Sequence, residues 1–141
     1  ERCFCGSRGC WESLASGTAM EKRWQEVHGE TLKVKAITDR ARDGDADALQ
    51  AVETMGRYIG VGVANLISMV TPEVICLGGG VMGSFDLFLP YIKEVVAQNC
   101  GLVPHEKVQI KPAQFKEKAG LLGAAAIFPL YSYRIEGLGL E

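Results

Sequence analysis

The sequence predicts an α/β fold, with helices layered on a mainly parallel sheet. Three observations carry this. Several stretches repeat apolar residues at helical spacing. The run Val74-Ile75-Cys76-Leu77 is short, continuous and apolar, as in a strand buried on both faces, and is followed at once by glycines and another helical stretch. A second strand-like run, Val108-Gln109-Ile110, precedes a last helical stretch. The 141 residues suffice for one domain with a core and are too few for two. With 48% hydrophobic and 23% charged residues the chain is globular rather than disordered.

Taken in order, residues 11–28 place Leu14, Ala15, Ala19, Trp24 and Val27 on one face of an amphipathic helix that Gly29 stops. Residues 34–42 form a short helix with Ile37 and Ala41 inward, broken by Asp43-Gly44. Asp45 is the N-cap of a long helix reaching about Val70, with Leu49, Val52, Met55, Ile59, Val63, Leu66 and Ile67 at helical spacing. Gly56, Gly60 and Gly62 interrupt its interior. Each costs about 1 kcal/mol relative to alanine, so the three indicate either close approach of another backbone or simple tolerance. Thr71-Pro72 ends the helix. After the strand and the triplet Gly78-Gly79-Gly80, a helix runs from about Ser84 to Asn99, with Pro90 confined to its first turn. A helix over residues 117–131 closes the chain, one flank smoothed by Ala119, Gly120, Gly123, Ala124, Ala125 and Ala126. Two strands cannot bury this much apolar helix surface, so further strands are expected upstream of residue 1. The absence of an initiating methionine agrees, and the chain is read as a fragment.

The net charge of −2 is scattered, which leaves no basic face for nucleic acid. No window has 18 uninterrupted apolar residues, and the N-terminus lacks the apolar core of a signal peptide, so no membrane segment is expected. Five cysteines without secretory features point to a reducing, cytoplasmic compartment and a metal site rather than disulfides. Cys76 reads as a small buried hydrophobe, and Cys100 at a helix end has no evident chemistry.

Cys3-x-Cys5-x4-Cys10 places three thiols within eight residues, with Gly6 and Gly9 between them. Zinc takes four tetrahedral soft or imidazole ligands, and such spacing lets one loop wrap a structural ion. Buried free thiols are the alternative. The fourth ligand is His28, His105 or an upstream residue; His28 lies roughly 27 Å along a helix from Cys10 and reaches back poorly. Beside Pro104, His105 otherwise reads as a solvated surface histidine. Glu12 opens the next helix, where a carboxylate either complements the helix dipole or is held rigidly against a polar ligand. The glycine triplet sits at the carboxyl end of a strand, where α/β sheets bind ligands, and is either a ligand loop or a tight turn. No Gly-Lys-Ser/Thr follows it, and Gly78, Gly80 and Gly83 match a dinucleotide pattern without its acidic partner.

Together, Cys3-Phe-Cys5-Gly6-Ser-Arg-Gly9-Cys10-Trp-Glu12 with Ser16-Gly17, Pro72-Glu-Val-Ile-Cys-Leu-Gly78-Gly79-Gly80-Val81, and Ala119-Gly120-x-x-Gly123-Ala124-Ala125 resemble the ROK family of sugar kinases and sugar-responsive repressors, in order and spacing over nearly the whole chain. The resemblance implies an actin/hexokinase-like (ribonuclease H-like) fold of two lobes, of which residues 1–141 are an incomplete C-terminal lobe with a zinc loop. It implies zinc on Cys3, Cys5 and Cys10, sugar hydroxyls on Glu12, and nucleotide along Gly78, Gly79 and Gly80. It also implies a glucokinase-like ATP-dependent hexose kinase, using ATP with magnesium and acting as a homodimer. The family's phosphate loop, its general-base aspartate and the Glu-x-Gly-His segment that supplies the fourth zinc ligand all fall upstream of Glu1, so the segment alone is expected to be inactive. The alternatives are the sugar-sensing domain of a repressor and a zinc-stabilised interaction module. Glucose is the default hexose, with N-acetylmannosamine, N-acetylglucosamine, fructose and allose open.

Overall fold

The computed structural model describes residues 1–115, 118 and 120–127. Residues 11–28 form two helices rather than one: α1 (Glu12–Ala15) and α2 (Gly17–His28). Ser16 breaks them apart. Its extended backbone leaves its hydroxyl free to accept from the Ala19 N–H and cap α2, a local bond that competes with continuing a helix. Gly29 ends α2 as expected, but Val27 stays 75% exposed and contributes nothing to the core. Helix α3 (Val34–Arg42) buries Ile37 and Ala41, and Asp45 caps α4 (Ala46–Val70) by accepting from the Ala48 N–H.

Helix α4 is the spine. Val52, Met55, Ile59, Val63 and Ile67 are buried, whereas Leu49 and Leu66, at the margins of the stripe, are partly exposed. The interior glycines serve close approach. A Cβ on Gly56 would stand 2.8 Å from Tyr91 Cβ, and one on Gly60 would stand 2.8 Å from Val95 Cβ and 3.2 Å from Ile92 Cα. Both face α5 (Phe85–Asn99), which adds Phe88, Ile92 and Val96 to the core. Met20 and Trp24 of α2 complete it from the other side. Pro90 lies one turn further into α5 than expected. It is exposed, as is Asp86 one turn before it, so the carbonyl that its missing N–H leaves free can meet water.

Strands β1 (Val74–Leu77) and β2 (Gln109–Pro112) pair in parallel, with Ile75 opposite Ile110. The second strand begins one residue later than its alternation suggested. Burial on both faces is not found: among the described residues only Ile75 of β1 is buried, and Val74 and Cys76 are exposed. Helices cover one face of this two-stranded sheet, and successive side chains alternate between faces, which puts Cys76 on the open one. Outside the cysteine loop it is Cys100 that is buried instead, with its Sγ 3.4 Å from the Ala64 carbonyl. Of the closing helix, residues 120–127 are helical, and no atom of the described residues lies within 4 Å of a Cβ placed on Gly120 or Gly123. The rest of the span 117–131 falls largely outside the described residues.

Candidate functional site

The cysteine loop folds back on itself. Cys3 N–H donates to the Ser7 carbonyl (2.9 Å), Gly9 N–H donates to the Glu1 carbonyl (3.1 Å), and Arg2 and Arg8 form an antiparallel bridge. Gly6 and Gly9 take positive φ at its two bends. The result gathers the sulfurs of Cys3, Cys5 and Cys10 within 4.8 Å of one another, and Cys5 and Cys10 Sγ are 3.6 Å apart. Four sulfurs held tetrahedrally at Zn–S distances near 2.3 Å sit about 3.8 Å apart, so the donor set fits a soft divalent cation. The electrostatics agree. Hydrogen bonds from Ser7, backbone first and then hydroxyl, together with the neighbouring thiols bring the Cys5 thiol down to about 7. The Cys10 thiol, bonded to Cys5 and Cys3, is pushed up to about 11. Three thiols this close resist common ionisation unless a cation joins them. Among the described residues no fourth donor is near them. His28 stacks on Trp24 with centroids 4.1 Å apart, and His105 places Nδ1 3.1 Å from the Cys100 carbonyl. The latter side chain is 18% exposed, so it is not the solvated surface histidine expected.

Trp11 anchors this loop to the spine. Its indole Nε1 donates to the Tyr58 carbonyl (2.7 Å), and its ring lies over Gly62, where a Cβ would come within 2.3 Å. Glu12 follows at once and opens α1 with an exposed side chain.

Strand β1 runs into the triplet on the opposite wall. Only Gly79 of the three needs glycine's freedom, with φ at +100°, and a Cβ there would meet nothing of the described residues within 4 Å. A Cβ on Gly78 would stand at ordinary contact distance from Ala113 Cβ, 3.7 Å. A cavity of about 600 Å³ joins the two predicted regions, with Glu12 on one wall, Gly78, Gly79 and Gly80 on another, and Glu21 and Val34 on a third. Glu12 also borders a cavity of about 290 Å³ with Cys3 and Phe4. The three cysteines therefore lie together beside Glu12, and the triplet shares Glu12's cavity.

The sequence reading missed the third wall. Glu21 accepts from the Val34 N–H (3.1 Å) and from Lys33 Nζ (2.8 Å), bracing the start of α3, whose own N-cap Lys33 supplies no side-chain bond. Partial burial raises the Glu21 carboxyl, but Lys33 and the Val34 N–H outweigh it and hold it below the usual range. A glutamate on a polar helix face gives no sequence signal for such a role.

The fold is similar to part of solved ROK-family proteins, a glucokinase and a hexokinase among them. The ROK glucokinase from Streptomyces griseus, solved with glucose and AMPPNP, superposes with a TM-score of 0.76 at 32% identity, over 89% of this chain and 46% of that one. The profile of the ROK family matches residues 1–130, and the chain belongs to that family. An N-acetyl-D-glucosamine kinase of Pasteurella multocida is 33% identical over 127 residues, which are 89% of this chain and 41% of the kinase. A xylose repressor of Bacillus spizizenii is 29% identical over 126 residues, 89% of this chain and 33% of the repressor. The chain thus spans less than half the length of these relatives.

Proposed function

We propose that residues 1–141 are the C-terminal lobe of a cytoplasmic, homodimeric hexose kinase that transfers the γ-phosphoryl group of magnesium-bound ATP to a sugar hydroxyl. The observation that carries this reading is the single cavity of about 600 Å³ bordered by both Glu12 and the glycine triplet. In it Glu12 accepts hydrogen bonds from sugar hydroxyls. Gly78, Gly79 and Gly80 bring bare backbone against the nucleotide. Phosphoryl transfer depends mainly on positioning and charge stabilisation, and this lobe supplies positioning. The base that accepts the hydroxyl proton is assigned to the other lobe, so the lobe alone is inactive. A zinc ion on Cys3, Cys5 and Cys10, completed by a histidine of the intact protein, supplies rigidity to the loop that carries Trp11 and Glu12. The likeness to the xylose repressor supports a second reading, a sugar-sensing domain with no phosphoryl transfer; turnover of ATP with hexose by the intact protein separates the two.

Gly79→Val tests the nucleotide assignment. Among the described residues nothing lies within 4 Å of a Cβ at Gly79, so the new side chain enters the cavity rather than the core, at a backbone strain of about 1–3 kcal/mol from φ +100°. In the intact protein ATP affinity is expected to fall more than about tenfold with hexose affinity held within about twofold, by calorimetric titration of each. A folded variant that binds ATP normally reduces the triplet to a turn.

Metal analysis of the intact protein is expected to return one zinc per chain, lost on Cys5→Ser. Less than about half an equivalent, or a disulfide among the three thiols, would overturn the metal assignment.

A further inference from the structure

The cavity's third wall is tied to the glycine turn by a continuous set of contacts that begins at Glu21. The Glu21 carboxylate bridges α2 to the first residue of α3, taking the Val34 N–H on one oxygen and Lys33 Nζ on the other. Val34 then packs towards Gly17: a Cβ on Gly17 would stand 3.2 Å from Val34 Cγ2 and 3.0 Å from Val81 Cγ2. Val81 is the residue directly after the triplet. A second tie runs in parallel, for Ser84 Oγ donates to Thr38 Oγ1 (3.0 Å), and Thr38 Oγ1 donates to the Lys35 carbonyl (3.0 Å). Thr38 is fully buried, so this tie is shielded from water. The start of α3 and the turn after β1 are therefore tied at two points, and Glu21 is the only side chain among the described residues that bonds the Val34 N–H.

We infer that Glu21 is a positioning residue for the nucleotide: by bracing Val34 against Gly17 and Val81 it sets the width of the cleft between α3 and the glycine turn, into which the nucleoside part of ATP fits. Glu21 reaches the ligand through Val34 and Val81 rather than by touching the reacting atoms. The inference rests on the nucleotide reading of the triplet. Glu12 stands on a separate element, α1, anchored through Trp11 to α4, so the sugar end has an anchor of its own.

The test is steady-state kinetics of the intact protein, with MgATP and hexose varied separately, alongside calorimetric titration of ATP and thermal melting. Glu21→Ala removes both bonds and is expected to raise the KM for MgATP about tenfold, with kcat and the hexose KM within about twofold. Glu21→Gln keeps an amide oxygen for the Val34 N–H and gives up the charge-assisted bond from the exposed Lys33, so it is expected to restore most of the loss, to within about threefold of wild type. An unchanged MgATP KM in Glu21→Ala overturns the inference. So does a parallel rise of both KM values with early melting, which is the signature of general destabilisation. Should Glu21→Ala fail to fold, Glu21→Leu, which fills similar space but accepts no hydrogen bond, decides: a selective rise of the MgATP KM supports the brace, and an unchanged MgATP KM overturns it. If wild-type protein itself binds no ATP, the nucleotide reading has failed, and the inference falls with it by a route that the wild-type titration alone identifies.

Discussion

Gly60→Val is expected to destabilise the fold by about 3 kcal/mol, the upper end for overpacking a well-filled core. The neighbours a Cβ would strike include Ile92 Cα and its carbonyl oxygen, both 3.2 Å away, as well as Val95 Cβ at 2.8 Å. Backbone atoms cannot swing aside as a side-chain tip can, so α4 and α5 must separate along a contact that also holds Phe88 and Ile92, both fully buried. Gly60→Ala makes the same first clash but gains up to about 1 kcal/mol of helix propensity, so its net loss is smaller. Urea denaturation measures both. A valine variant as stable as wild type would mean that the two helices slide without cost, and that the glycines reflect tolerance after all.

Glu12→Gln in the intact protein is expected to raise the hexose KM well over tenfold, because a carboxylate accepting from sugar hydroxyls loses a charge-assisted bond of about 1.5–3 kcal/mol. The MgATP KM should stay near wild type, since the triplet lies on a different wall of the cavity. Initial-rate kinetics with each substrate varied in turn give both constants. Unchanged hexose affinity would return Glu12 to the role of a carboxylate favoured at the start of a helix.

Most of the fold was legible because it depends on local signals. Asp45 reads as an N-cap and Thr71-Pro72 as a stop, and both are found so; of the three interior glycines, Gly56 and Gly60 meet the close backbone approach that was one of the two readings, whereas Gly62 meets the Trp11 ring. The break at Ser16 escaped the apolar pattern because a cap is set by one hydroxyl, while periodicity averages over many residues. The open face of β1 escaped it too: an apolar run states a preference for burial without saying what provides it, and Cys76 is left uncovered by the described residues. Around the candidate site, compact motifs marked Cys3, Cys5, Cys10, Glu12 and the triplet in advance, and the structure gathers the three thiols and sets Glu12 and the triplet on one cavity. Glu21 and Lys33 were not marked. Their pairing spans twelve positions, and its partner is partly a backbone N–H that no sequence pattern marks.

Gly60 and Gly62 stand two residues apart on α4, about 200° around a helix that turns about 100° per residue. One bares the backbone towards α5 and the other towards the Trp11 ring. At this turn the spine is reduced to a bare peptide cylinder with a layer seated on either side. The separation between those layers is therefore set by covalent geometry, which scarcely varies, instead of by rotamers, which interchange with temperature. The indole that carries the cysteine loop and Glu12 is thus referenced to the least deformable stretch of the chain, a gauge block against which the rest of the cavity is measured.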